Sequence, residues 1–324
     1  MATRTILSVD GGGIRGIIPA RILELIEAKT GRPIASLFDM VAGTSTGGIL
    51  ALGLTKPNAG RTGPALSASE LVKLYEVEGK TIFNRSAWHV IEALGQLNGP
   101  KYDGEGARAA LTKYLSGARL SEARTRVIVT AYEIQIRKPF FFKSWVAKTD
   151  AASDFDTVDV ARATSAAPTF FPPVQVTSAG HTFAFIDGGV FANNPTMCAV
   201  ADAWKLWPGD DLLVVSLGTG NTDRAIAYDR AKGWGLAEWA HPLVEILIDG
   251  VTDTVDYEAR EAVAGGQYYR FQTDLPPELQ EFDNPSSVGA LRDAADRLIQ
   301  DQAEDLTALC EKLARSAAAS VSLA

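Results

Sequence analysis

Gly43-Thr44-Ser45-Thr46-Gly47 forms a G-x-S-x-G sequence. The spacing suits a serine raised on a sharp strand-to-helix turn. There the nucleophile holds a strained backbone conformation, and its neighbours two residues away must lack bulk so that strand and helix can approach. The flanks agree with this reading. The short apolar run FDMVA precedes the motif, and small apolar residues follow from Thr46 to Leu54. A helix starting at Thr46 would aim its dipole and free N–H groups at the serine oxygen. A bare five-residue match is common, so the flanking elements carry the preference for a nucleophile elbow over an ordinary glycine turn.

A second glycine motif lies upstream, Asp10-Gly11-Gly12-Gly13-Ile14-Arg15-Gly16, at the end of the run TILSVD. Gly11, Gly13 and Gly16 satisfy G-x-G-x-x-G, so a dinucleotide site must be weighed. Two features oppose it. Asp10 would repel a pyrophosphate, and the acidic residue needed after the second strand is missing. The nearest candidate, Asp39, stands at the start of that strand instead. A P-loop fails because Ile17 stands where lysine is required. The remaining chemical use is an oxyanion hole, in which consecutive glycines turn backbone N–H groups toward one point. Such a donor is worth about 10²–10³ in rate. A tight turn with glycines for packing alone is the plainer alternative.

A serine nucleophile needs a proton acceptor. Histidine held by a carboxylate is the usual answer, and this chain has three histidines, His89, His181 and His241. His89 lies beside Trp88 in a helical stretch. His181 opens a strand at the end opposite the catalytic edge. His241 precedes Pro242 near a helix start. The order Ser45, Asp187, His241 matches that of α/β-hydrolase triads, which keeps a triad open. Asp187 has the better address, at the end of HTFAFID and before Gly188-Gly189. An ordinary aspartate, with pKa about 3.9, is a weak base. Burial among Phe183, Phe185 and Phe191 would raise it toward usefulness. Alone, Asp187 would read as the start of an Asp-Gly turn.

The elements that must position these residues alternate along the chain. Short apolar strands are expected at 5–10, 38–43, 125–134, 139–146, 181–187 and 211–218. Helices are expected at Ile17–Thr30, stopped by Gly31, and at Thr46–Leu54, with long ones at 238–257 and 288–313. The pair at 125–134 and 139–146 suits antiparallel strands. The order predicts an α/β fold: a three-layer sandwich with a mostly parallel central sheet. Ligands on such sheets bind beyond the carboxyl ends of the strands, which groups the loops after Val9, Ala42, Ile186 and Leu217. Residues 56–124 read as an inserted helical cap, with Trp88 and Ile91 as its core. Residues 234–324 read as a C-terminal helical region. All 324 residues are expected to form one domain.

Composition narrows the function classes. The hydrophobic fraction of 46% supports a full core, and the charged fraction of 22% is ordinary. Lys and Arg total 31 against 39 acidic residues, a net charge of −8, which disfavours nucleic acid and bulk attraction to anionic lipid. Cys198 and Cys310 cannot build a disulfide framework or a four-thiolate zinc site, and both are expected to be free and buried. There is no calcium-loop pattern, so no metal and no cofactor are expected. Ile6-Leu7 is too short for a signal core, and no apolar run approaches about 18 residues. A soluble cytoplasmic protein is expected, with transient contact at membrane surfaces. The candidate apolar rims are Phe140–Phe142, Phe170-Phe171 and Trp234-Gly235-Leu236 with Trp239. The first is better explained as strand core.

Four motifs now converge. DGGGIRG (10–16), GTSTGG (43–48), ARATSAAPTFFPP (161–173) and DGGVFANNP (187–195) stand in an order that resembles the patatin-like phospholipases. The likeness runs from residue 4 to about 220, including SLGTG (216–220). It implies a Ser–Asp dyad without histidine, Ser45 as nucleophile and Asp187 as base. It implies an oxyanion hole at Gly11, Gly12 and Gly13, with Arg15 at the family's basic position. Gly43, Gly47 and Gly188 support the site, and ARATSAAP helps to shape it. A phospholipid or other glycerolipid is the implied substrate. One expectation separates this reading from the dinucleotide one: titration with NAD or NADP shows no saturable binding, and saturation would contradict it.

Overall fold

The computed structural model describes residues 2–83, 99–222 and 225–322. Trp88, His89 and Ile91 lie outside the described residues. The main sheet contains β1 (Thr3–Val9), β2 (Met40–Thr44), β3 (Arg126–Glu133), β4 (Lys138–Lys143), β5 (Val174–Ser178), β6 (His181–Asp187), β7 (Asp211–Leu217) and β9 (Tyr268–Phe271). Their order is β5-β6-β3-β2-β1-β7-β9, with β4 also paired to β3. β3, β2, β1, β7 and β9 run parallel. β4, β5 and β6 enter through antiparallel pairs. Two short strands, β8 (Asn221–Thr222) and β10 (Asp274–Leu275), pair apart from it.

The apolar runs form strands because both sheet faces are covered. Leu7, Val9, Val41, Val127 and Val129 point to one layer, where Ile18 and Ile22 of α1 (Ile17–Thr30) and Leu50 of α2 (Thr46–Thr55) meet them. The alternate residues Ile6, Met40, Ala42, Ile128 and Val214 point to the other layer, against Ala199, Val200 and Ala203. This two-residue alternation between buried faces is the physical content of a three-layer sandwich. Gly31 ends α1 as expected, with φ 63° and its N–H bonded to Glu27 O.

Further helices are α3 (Ala68–Lys73), α4 (Glu105–Leu115), α5 (Thr157–Thr164), α6 (Thr196–Leu206), α7 (Leu236–Ala262), α8 (Val288–Asp301) and α9 (Ala303–Ser322). α3 and α4 fall in the segment read as a cap. Their Leu71, Val72, Leu111 and Leu115 join the main core rather than a separate one. The long helix expected at 288–313 is two helices, broken at Gln302 (φ −113°, ψ 28°). No Gly or Pro marks that break. Its only sequence mark is the pair Glu304 and Asp305, which suits a helix first turn.

Strands β5 and β9 were not expected. β5 pairs with β6 through a two-residue hairpin in which Ala179 (φ 48°) and Gly180 (φ 82°) are both left-handed. The expected core reading of Phe140–Phe142 matches the packing. Phe140, Phe142, Phe155, Phe183 and Phe185 form one aromatic cluster beneath β6. Phe185 is fully buried at its centre. Phe185→Ala is expected to cost about 3–5 kcal/mol in urea unfolding. A loss below about 1 kcal/mol would contradict the packing described.

Candidate active site

One strand sets the positions of both candidate catalytic residues. β3 pairs along one edge with β2 up to Thr44↔Thr130. The next β3 residue, Ala131, pairs with Asp187 of β6. β2 and β6 therefore meet head to head on the same edge of β3. Ser45 leaves the end of one as Asp187 arrives at the end of the other. The grouping of Asp187 with the carboxyl ends of parallel strands thus needs correction in its reason. β6 is antiparallel, and it reaches the site by coming from the opposite direction.

Ser45 has φ 55° and ψ −121°, a left-handed-side conformation for a residue with a side chain. Such backbone strain costs of order 1–3 kcal/mol and needs surroundings that enforce it. The glycines at 43 and 47 supply them. A Cβ on Gly43 would sit 2.2 Å from Gly47 O, and one on Gly47 would sit 2.1 Å from Val9 O. Strand, helix and neighbouring strand are therefore pressed together around the serine. Thr44 Oγ1 lies 2.7 Å from Thr130 Oγ1 and donates to Ala192 O at 2.6 Å. Ser45 is partly exposed between two buried threonines.

Asp187 is 5% exposed and lies close enough to the Ser45 side chain for that hydroxyl to act on its carboxyl. Its Oδ1 accepts from Gly189 N–H at 2.7 Å. Burial pushes its carboxyl up to about 7, against the lowering effect of the Gly189 N–H and the nearby Ser45 hydroxyl. The carboxyl is thereby placed to exchange a proton near neutral pH. Gly188 is confined by Thr130, whose Oγ1 would lie 2.1 Å from a Cβ there. Segment 161–168 holds both residues: Ser45 N–H donates to Thr164 Oγ1 at 2.8 Å, and Asp187 N–H donates to Ala166 O at 3.0 Å. Thr164 and Ala166 were legible only as part of a motif, since neither has a chemical group that announces a role.

The glycine loop divides its labour. Gly11 abuts the serine: a Cβ there would lie 3.3 Å from Ser45 Cβ and 2.3 Å from Asn193 Oδ1. Its N–H donates to Asn193 O at 3.0 Å. Gly11 is therefore a wall of the site with its donor already engaged, which corrects its place among the three expected oxyanion donors. Among the described residues, the N–H groups of Gly12 and Gly13 have no hydrogen-bond partner. Gly13 needs glycine twice over, with φ 58° and Phe282 O 2.2 Å from a Cβ position. Arg15 is buried, its guanidinium 4.1 Å from the centre of the Phe282 ring.

The histidines fare differently. His181 is exposed at the far end of β6, about 20 Å from Asp187 by strand rise. His241 falls within α7, and its side chain is outside the described residues, as is all of His89. Asp39, the weak dinucleotide candidate, accepts from Thr5 N–H at 2.9 Å at the opposite edge of the sheet. Hollows of about 370 and 350 Å³ also lie toward that edge and include neither Ser45 nor Asp187. Strand register, not cavity size, locates the pair. Among the described residues no cluster of His, Cys, Asp and Glu could hold a metal. No described helix is long and apolar enough to cross a membrane. Phe171 packs on Tyr102 and Phe83, while Leu236 is 90% exposed beside the Trp234–Trp239 pair. Cys310 is buried and Cys198 partly so, and both are free.

The profile of the family described as patatin-like phospholipase matches residues 7–200. This chain belongs to that family. Patatin-like protein 2 of Oryza sativa subsp. indica is 35% identical over 288 residues, 78% of this chain and 71% of that protein. Patatin-like protein 2 of Arabidopsis thaliana is 33% identical, with 83% and 75% covered. A Solanum tuberosum relative, 36% identical over 75% of this chain and 70% of its own, is named probable inactive patatin-3-Kuras 1. Among solved structures, VipD from Legionella pneumophila aligns at TM-score 0.42 and 11% identity, covering 92% of this chain and 67% of that one. All four motifs read from the sequence overlap or lie within the region matched to the patatin-like family.

The raised Asp187 carboxyl has a consequence for stability. Its folded-state pKa of about 7 exceeds the ordinary 3.8, so its contribution is fully present below about pH 4 and is lost as pH rises through 7. At pH 8 the buried charge costs on the order of 4 kcal/mol. Asp187→Asn is therefore expected to raise Tm at pH 8 and to raise it much less at pH 5. Equal shifts at both pH values would contradict the burial of a charge.

Proposed function

We propose that the protein is a lipid acyl hydrolase that cleaves fatty acyl esters of glycerolipids with Ser45 and Asp187 as a dyad. The observation that carries the reading is the strand register that brings a strained serine to an aspartate whose burial lifts its carboxyl to about 7. Family membership alone leaves activity open, because one relative is named probable inactive. The residues of this chain argue for activity.

Asp187 takes the Ser45 hydroxyl proton as Oγ attacks the ester carbonyl carbon. The N–H groups of Gly12 and Gly13 receive the oxyanion. The tetrahedral centre collapses, the bond to the alcohol breaks, and Asp187 gives that alcohol its proton. Water then loses a proton to Asp187 and attacks the acyl-serine. The acid leaves, and the proton returns to Ser45 Oγ. Lipid surfaces are met through apolar side chains rather than bulk charge. Leu236, Leu243, Ile246 and Leu247 are exposed on α7, and the net charge is −8.

Mass spectrometry of a mixed membrane extract incubated with the protein should show released fatty acids and the matching deacylated lipids. Ser45→Ala and Asp187→Asn should each lower kcat/KM by about 10³-fold or more, while His241→Ala stays within about threefold of the wild type. A folded His241→Ala as inactive as Ser45→Ala would replace the dyad with a triad. The base must be ionised, so kcat/KM should fall about tenfold per pH unit below 7 and level off above it. A profile flat from pH 5 to 8 would contradict Asp187 as the base.

A further inference from the structure

The glycine loop begins with a carboxylate. Asp10 directly precedes Gly11 and is 1% exposed. Its carbonyl oxygen would lie 2.8 Å from a Cβ on Gly47, so its backbone presses on the serine turn. A negative charge here is a problem for the proposed reaction. It would oppose the oxyanion that Gly12 and Gly13 are placed to receive, and low-dielectric surroundings would strengthen that opposition.

The structure answers with Arg270. This residue stands on β9, two strands from β1, and is nearly as buried as Asp10, with side-chain exposures of 5% and 1%. Its Nη2 donates to Asp10 Oδ2 at 2.6 Å, and its Nη1 donates to Ser216 Oγ at 2.8 Å on the intervening strand. Asp10 Oδ1 has no hydrogen-bond partner among the described residues, so Arg270 is the cation compensating this carboxylate. Arg270 lies outside the 7–200 region matched to the family. So does Phe282, whose carbonyl accepts from Ile14 N–H at 2.8 Å and closes over Gly13. Asp283, next along, binds Tyr102 Oη at 2.7 Å and Lys101 Nζ at 2.5 Å. The loop is thus gripped from the C-terminal third of the chain at both of its ends.

We propose that Arg270 is a positioning residue for the oxyanion loop: by neutralising Asp10 across β7 it keeps the backbone and the local field at Gly12 and Gly13 suited to a developing negative charge. The inference rests on the hydrolase reading above. A buried ion pair is weak support for stability in itself, since apolar replacements of both partners are often neutral. That property makes the pair testable, because removing one charge and removing both should differ.

The test uses the full chain and a water-soluble p-nitrophenyl ester, with circular dichroism to confirm folding. The variants are Arg270→Met, Arg270→Lys and the double Asp10→Asn/Arg270→Met. Arg270→Met should lower kcat about 10²-fold with KM within about threefold of wild type, as expected when oxyanion stabilisation is lost. Arg270→Lys should keep the charge and stay within about tenfold of wild type. The double variant should be at least about tenfold faster than Arg270→Met, because no unpaired carboxylate remains. Folded Arg270→Met with kcat within about threefold of wild type would overturn the proposal, as would folded Arg270→Lys or a folded double variant no faster than it. If Arg270→Met does not fold, the other two variants decide: folded and within about tenfold of wild type supports the role, folded and about 10²-fold slower overturns it. A wild-type chain that hydrolyses no ester would contradict the hydrolase reading itself and this inference with it.

Discussion

The head-to-head meeting of β2 and β6 along one edge of β3 is the constraint on which the rest depends. Thr130 and Ala131 are adjacent residues of one strand, and they set the places of Thr44 and Asp187. A one-residue slip of either strand would turn its side chains to the opposite face and separate the pair. Register is fixed here by the core, because alternate residues of β2 and β3 fill different buried layers. The aromatic cluster beneath β6 fixes the third strand in the same way. The placement of Ser45 against Asp187 is therefore a by-product of core packing.

Two costs accumulate at this junction, and the proposed reaction would use both. Ser45 holds a conformation that side chains avoid, at the turn from β2 into α2. Asp187 is buried where its charge is disfavoured, which raises its basicity. The surrounding contacts hold both in place: Thr164 on the Ser45 N–H, Ala166 on the Asp187 N–H, and Gly189 on the carboxylate. The loop that faces them is treated similarly. Gly11 gives its N–H to Asn193, which anchors the loop, and the next two N–H groups have no hydrogen-bond partner among the described residues.

Much of this was legible in the sequence because the motifs are local. The glycines at 43, 47 and 188 stand where backbone or threonine atoms leave no room for a Cβ, and such steric needs write themselves as residue type. What was illegible depends on partners far along the chain. Asp187 was placed at the right edge for an incorrect reason, because strand direction is decided by pairing and not by the strand's own residues. β5 and β9 are short and carry polar residues, so periodicity did not reveal them. The break at Gln302 has no Gly or Pro to mark it. The engagement of the Gly11 donor and the Asp10–Arg270 pair span 182 and 260 residues. Contacts of that range leave no trace in spacing.

The most direct measurement is the pH dependence of labelling by a fluorophosphonate, with the modified residue mapped by peptide mass spectrometry. The expected result is a single adduct on Ser45, formed at a rate that rises with a midpoint near pH 7 in the wild type and loses that midpoint in Asp187→Asn. An adduct elsewhere, or an unchanged midpoint in folded Asp187→Asn, would show that Asp187 is not the group that activates the serine.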